Sequence, residues 1–240
     1  MNQTALNLTA ITLFTLVMTS LLGPLLHIPP TVPAIAVAVV MGLGTLDTFA
    51  WQGQGSNLLL DWVAGFSPEH RDRIIRHEAG HFLVAYLLNI PVTGYTLSAW
   101  ESVRQGQPGL GGVTFDTTEL ETELAQGNLS PQLVDRFCTV WMAGIAAETM
   151  IYGSAEGGAD DRQKLQMLWA SLRRSPSESD LKTRLSILRA KTLLEQNQDA
   201  YNTLVAALKR RASPEECRQL LASRESEISS EISENPLHPN

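Results

Sequence analysis

The sequence predicts a mostly α-helical protein, with an apolar helical hairpin in front of a helical domain that carries one small β-sheet. Three observations predict this. All 18 Lys and Arg residues stand at Arg71 or later, while the first 70 residues carry only Asp47, Asp61 and Glu69. Two long apolar stretches fill that uncharged front. Behind them, caps, prolines and apolar spacings mark successive helices, interrupted by two short β-rich runs.

At 240 residues the chain has room for one sizeable domain plus attachments. The net charge of −7, without a basic block to neutralise phosphates, excludes a nucleic-acid partner. Cys138 and Cys217 are too few and too far apart for a disulfide framework, and read as reduced thiols in a reducing compartment.

The first element is "ALNLTAITLFTLVMTSLLGPLL" (5–26), 22 residues without a charge, and about 20 apolar residues span a bilayer. "TVPAIAVAVVMGLGTLDTFAW" (31–51) is a second span, shorter because its uncharged core stops at Asp47, with Trp51 at the interface. Between them "HIPPTVP" suits a tight turn. No Lys or Arg precedes the first run, which argues against a secretory signal. "HRDRIIRH" follows the second span, so the positive-inside bias puts that side in the cytoplasm. Residues 1–52 are thus a two-helix membrane anchor and 53–66 a linker, within the Gly-containing "QGQGSNLLLDWVAGF" (52–66).

A folded domain is expected over 67–222. Ser67, Pro68 and Glu69 form a helix start: a cap, a first-turn proline and an acid at the positive end. That helix runs to about Asn89, before Pro91. "VTGYTLSA" and "GLGGVTFD" read as strands around a polar loop, 101–109. Pro131 opens one helix to about Tyr152, ended by Gly153. "SAEGGADD" is a loop feeding a helix over 161–172. Further helices are expected over 178–211 and 214–222, the latter with a Ser213–Glu216 capping box. The polar tail 223–240 is expected to be disordered.

The chemistry gathers in "RHEAGHFLVAYLL" (76–88). Residues four apart lie on one helix face, so His77 and His81 can offer two imidazoles to one ion. Glu78 points about 100° away, near enough to reach a water but not to compete as a ligand. A catalytic zinc takes three protein ligands and keeps a position open. H-E-x-x-H arises by chance in on the order of one in a hundred chains of this length, but here it falls inside a well-marked helix. His27, His70 and His238 read as ordinary loop or surface residues. The longer form with a further Gly and His fails, because Val84 and Leu87 occupy those positions. A downstream acid must supply the third ligand. Glu148 in "GIAAETMIYG" and the pair Asp160–Asp161 in "GGADD" are the candidates; Glu101 and the acids of 116–123 read as solvated loop residues.

"HEAGHFLVAYLL", "AGIAAETMIYG" and "GGADDRQKLQ", followed by "TLLEQNQDAYNTLVAALKRRASPEECRQLL" (192–221), resemble in order and spacing the peptidase domain of FtsH-type membrane-anchored zinc proteases, over roughly Ser67 to Leu221. The resemblance implies a helical zinc-peptidase domain with its sheet beside the active site. It implies Zn2+ held by His77, His81 and Asp161, with Glu78 as general base. Asp160 stands where the family usually has Asn, and so competes with Asp161 for the ligand role. Glu148 falls in the family's Ala-Ala-Glu segment and would orient a ligand from behind. The small residues Ala143, Gly144, Ala146 and Ala147 would let two helices lie close. "GLGGVTFD" resembles a strand whose edge an extended substrate could join.

The family's ATPase module has no counterpart here. None of Lys164, Lys182, Lys191 and Lys209 follows a Gly, so no P-loop and no bound nucleotide are expected. The expected activity is an ATP-independent, membrane-anchored zinc endopeptidase acting on flexible or unfolded, membrane-proximal polypeptides, on the cytoplasmic or stromal side of a plasma or thylakoid-type membrane. The alternative is a non-catalytic or motor-dependent scaffold. The expected partners are the polypeptide substrate, the lipid bilayer, and further copies or ATPase-bearing FtsH-type relatives. An intramembrane protease is disfavoured, since burying Arg71, Arg73 and Arg76 in lipid costs about 2.5–3.5 kcal/mol each.

Overall fold

The computed structural model describes residues 3–50, 67–106 and 111–234. Trp51, the linker stretch 52–66 and part of the loop expected over 101–109 lie outside the described residues. The chain divides into two compact units, residues 1–70 with 98–111 and residues 71–97 with 112–240.

In the first unit, α1 (Gln3–Leu22) and α2 (Thr31–Ala50) are the two apolar helices. α1 is shorter than the uncharged run that predicts it. Pro24 has no N–H to continue the helix, and the chain turns back on itself, with Leu25 and Leu26 N–H bonding the Leu22 carbonyl. Its apolar part, Leu6–Leu22, falls short of a span. Among the described residues, one helix near the N-terminus is long and apolar enough to cross a membrane, against the two expected: Thr31–Phe49, 19 residues with mean hydropathy 1.8. Asp47 does not cut this helix short and is buried. Threonines suit an apolar setting here by bonding back to their own helix, Thr12 to the Leu8 carbonyl and Thr45 to that of Met41, both at 2.8 Å. Within the stretch expected as loop, α4 (Ala99–Arg104) forms instead, capped by Ser98 Oγ accepting the Glu101 N–H.

The second unit is built around α3 (Pro68–Leu87), whose residues 77–85 are all buried. Its start is as expected, with Ser67 Oγ accepting from His70 N–H. It ends with Asn89 in the left-handed region, while Arg136 donates to the Leu88 and Asn89 carbonyls. β1 (Val92–Thr96) pairs antiparallel with β2 (Gly112–Phe115), with a bulge between Val92 and Gly94. Then follow α5 (Thr118–Ala125), α6 (Pro131–Trp141), α7 (Ala143–Tyr152), α8 (Ala159–Ser171), α9 (Pro176–Gln196), α10 (Gln198–Lys209) and α11 (Pro214–Glu234).

Three differences from expectation have local causes. α5 occupies a stretch read as loop; Glu119 and Glu121 favour its positive end. The helix expected over 131–152 is broken at Met142, where the backbone flattens to φ −87, ψ −2. α11 runs to Glu234, into the tail expected to be disordered, because Arg, Glu and Ser continue a helix and no Gly or Pro intervenes before Pro236. The Ser213 cap is present, with Oγ accepting from Glu216 N–H at 3.1 Å.

Phe82, Leu83 and Val84 of α3 join one core with Phe137 and Val140 of α6, Ala146 and Ala147 of α7, and Tyr201, Leu204 and Leu208 of α10. Each large apolar side chain so buried contributes about 1.5–3 kcal/mol. The sheet is fastened by α11 and the turn before it: Arg218 donates to the Val92 carbonyl at 2.8 Å, and Tyr95 Oη to that of Ala212 at 2.6 Å. Cys138 and Cys217 are buried free thiols, and burial pushes them up to about 12 and about 11.

At the start of α3, Asp72 gathers Arg76 and Lys209, each at 2.6 Å, and the Tyr152 hydroxyl at 2.9 Å. Partial burial pushes its carboxyl up, but these three donors outweigh it and hold it at about 2, below the ordinary 3.8. The contribution of this contact is therefore present above pH 3.8 and lost as pH falls toward 2. Asp72→Asn should lower the unfolding free energy by under about 1 kcal/mol near neutrality, because the pair is partly exposed. In parallel thermal melts the gap between the two proteins should be constant above about pH 5 and close below pH 3.8.

Candidate metal centre

α3 carries His77 and His81 on one face, and α8 brings Asp161 up to them. The three residues are buried, and one ligand atom from each lies within 4.8 Å of the others. Asp161 Oδ2 sits 3.2 Å from His77 Nε2 and 3.2 Å from His81 Nε2. Donor atoms of a tetrahedral zinc with bonds of about 2.0–2.1 Å lie about 3.3 Å apart, so the two spacings to Asp161 match such an ion.

The other ring nitrogens decide what the Nε2 atoms can do. His81 Nδ1 lies 2.7 Å from the Val140 carbonyl, which only accepts, so Nδ1 carries the hydrogen. The break at Met142 is where α6 ends, two residues past that carbonyl. His77 Nδ1 lies 2.7 Å from Glu148 Oε1. Burial raises the Glu148 carboxyl, but the bond from His77 and the Glu156 and Gly157 amides outweigh it and hold it below its ordinary range. An ionised Glu148 also only accepts, so His77 Nδ1 is the donor. In its neutral form each ring would then aim an Nε2 lone pair at one carboxylate oxygen. Three acceptors converge, and only a positive species between them makes the arrangement favourable. Protons serve in the absence of a metal: burial lowers the His77 pKa, but Asp161 and Glu148 together push it up to about 10. Burial likewise raises Asp161, and the His81 charge with bonds from both rings holds it well below its ordinary value. A divalent cation would replace those protons with a single ion, and the Nδ1 bonds orient both rings as a metal site requires.

Close helix packing makes room for this. A Cβ added at Gly144 would overlap the His77 imidazole, and one at Gly80 would come within 2.7 Å of the Ala143 carbonyl and the Ala147 methyl. α3 and α7 thus touch through small residues, as the sequence predicts. Gly158, at φ +85, turns the chain into α8 so that Asp161 falls in its first turn, with Oδ1 3.3 Å from Lys164 Nζ.

Glu78 is buried beside this group, and its Oε2 accepts the Val113 N–H of β2 at 2.8 Å. Glu148 stands behind His77, outside the converging three. Asp160 is exposed and does not join them. Among the described residues, His77, His81 and Asp161 are the group so placed.

Sequence reasoning missed the residues that hold the ligands. Arg73 Nη1 lies 3.4 Å from Glu148 Oε2 and 3.3 Å from the Ser154 carbonyl, and Nη2 lies 3.4 Å from Glu156 Oε1. One guanidinium from α3 therefore grips both the acid behind His77 and the loop that delivers Asp161. The signal was available: Arg73, His77 and His81 form one stripe at four-residue spacing. The amides of Val113, Glu156 and Gly157 and the carbonyl of Val140 left no such trace.

Neither a family model nor a curated protein sequence matches the chain.

Asp161→Ala should abolish binding of a divalent metal, read as metal content after dialysis and as loss of the rise in melting temperature on adding zinc; Asp160→Ala should leave both unchanged. Gly144→Ala should displace the His77 ring. It should cost about 1–3 kcal/mol in denaturant unfolding and weaken metal binding as well.

Proposed function

We propose that the protein is a zinc endopeptidase that hydrolyses peptide bonds without ATP. One observation carries the reading: two imidazoles, each with its Nδ1 hydrogen already committed, aim their Nε2 atoms at one buried carboxylate oxygen beside a buried glutamate. The resemblance of the three motifs to FtsH-type peptidase domains agrees with it.

In this reading His77, His81 and Asp161 hold the ion, with Glu148 and Arg73 behind them. A zinc ion so held supplies Lewis acidity, polarising a scissile carbonyl and lowering the pKa of a water to about 7. Glu78 does the proton work: its carboxylate accepts a proton from the attacking water and hands it to the departing amine. Its Oε2 is steadied by the Val113 amide at 2.8 Å. That bond also ties the base to β2, so an extended polypeptide lying along this strand passes close to Glu78. Main-chain pairing of that kind takes flexible or unfolded segments with loose side-chain preference.

Anchoring belongs to the proposal. α2 crosses the bilayer in this reading, with the peptidase domain on the cytoplasmic or stromal side, acting on membrane-proximal polypeptides. Further copies, or ATPase-bearing relatives, would be its protein partners.

The test is incubation of the detergent-purified chain with casein and no ATP, beside Glu78→Gln, with zinc measured in both. The expected result is about one zinc per chain in each and cleavage by the wild type alone, the variant losing about 10²–10⁴-fold. Zinc in both with no cleavage by either would favour a motor-dependent or non-catalytic role; zinc in neither would overturn the reading.

A further inference from the structure

α9 presents apolar side chains on two faces. Toward the domain it buries Ser179, Ser186, Ala190 and Leu194, with Ile187 and Leu193 partly buried against the core. Outward it turns Leu181, Leu185 and Leu188, which are 51%, 54% and 62% exposed. Their spacing of four and three makes one continuous stripe, which the exposed Thr192 extends by a turn. Beside this stripe stand Lys182 and Arg189 on one side and Arg184 and Lys191 on the other, with the acids Glu178, Asp180 and Glu195 toward its two ends. Six Lys and Arg stand between Arg173 and Glu195 against three acids, Glu178, Asp180 and Glu195, in a chain whose net charge is −7. Some of these cations are partly engaged: Lys182 with Asp135, Arg189 at 3.9 Å from the same acid, Lys191 at 3.6 Å from Glu195 and Arg174 at 3.6 Å from Glu178. The side remains locally positive.

We infer that this leucine stripe docks the domain on an anionic lipid surface, the leucines entering the boundary between headgroups and acyl chains and the flanking cations meeting lipid phosphates. An apolar face framed by Lys and Arg is the arrangement that binds at such a boundary. A second copy of α9 fits poorly. Parallel pairing sets Arg184 against the other copy's Arg189, and antiparallel pairing sets Arg184 against Lys191 and Lys182 against Arg189, so the contacts between these cations are repulsive in either. A bilayer is also within reach. α2 is long and apolar enough to cross one, and the 17 residues between Ala50 and Pro68 extend to at most about 60 Å. A tether of that length keeps the domain at high effective concentration near the surface. The inference rests on the membrane part of the proposed function and not on its zinc chemistry.

The test uses the full chain reconstituted into vesicles of phosphatidylcholine alone or mixed with phosphatidylglycerol. An environment-sensitive dye is placed at Thr192→Cys, or at the exposed Asn202→Cys as a control; the native Cys138 and Cys217 are buried. Resistance to alkaline extraction reports separately whether the chain is membrane-inserted. The expected result is a blue shift and quenching by lipid-borne quenchers at position 192 in anionic vesicles only, reversed by high salt, with no change at position 202. Combining Leu185→Ser and Leu188→Ser, or Arg184→Glu and Arg189→Glu, should abolish the shift, with circular dichroism unchanged. An inserted chain whose label behaves alike in both lipids would overturn the docking alone. A shift that follows protein concentration rather than lipid charge would assign the stripe to another protein chain and overturn it too. A chain that extracts fully would overturn the anchor reading with it.

Discussion

Two imidazoles and a carboxylate that meet with their acceptor atoms facing inward are repulsive unless something positive lies between them. Most of the second unit is arranged to impose that meeting. The Val140 carbonyl and Glu148 commit the outer nitrogen of each ring, so the inner nitrogens have no alternative partner. Asp161 is delivered from another helix through a loop whose amides are bound by the same Glu148. The cost of crowding three acceptors into a buried pocket is offset by protons, or by a cation that does the same work with one ion.

Such a pocket requires backbones that approach closely and do not drift. Gly80 and Gly144 bring α3 and α7 together, and a methyl group at either would be felt at once. Arg73 then joins what packing alone leaves separate. It reaches from the start of α3 to the acid behind His77 and to the loop ahead of α8, with its guanidinium 4.1 Å from the centre of the Tyr152 ring. Asp72, its neighbour in sequence, accepts from the Tyr152 hydroxyl and pairs with Lys209 of α10. The first turns of α3 thus carry the charges that lock the frame, and the middle of the same helix carries the chemistry.

Surface chemistry follows a different logic. α9 buries Ser179, Ser186, Ala190 and Leu194 and packs Ile187 and Leu193 against the core, yet it leaves Leu181, Leu185 and Leu188 outside. An exposed apolar stripe of that kind needs a partner, and its cationic frame restricts the partner's charge. The apolar helices of the first unit show the same outward bias more strongly, with Phe49 84% exposed. Both features suit a protein that works against a lipid boundary.

Local chemistry was legible in the sequence because its causes are local. The cap at Ser67, the four-residue spacing of His77 and His81, the two strands and the small residues of 143–147 each depend on neighbours a few positions away. α5, the break at Met142 and the full length of α11 were less legible, since the local propensities that set them are weak. Asp160 and Asp161 are adjacent acids with equal chemistry, and nothing in their order says which turns inward. The path through Gly158 sets that: one step along α8 is about 100°, so Asp161 faces the imidazoles and Asp160 faces solvent. The sequence by itself therefore determined the helical class, the apolar front and the two histidines with their glutamate. Tertiary structure alone decided the third member of the group, the hydrogen on each ring and the grip of Arg73, because those depend on contacts between residues up to 84 positions apart.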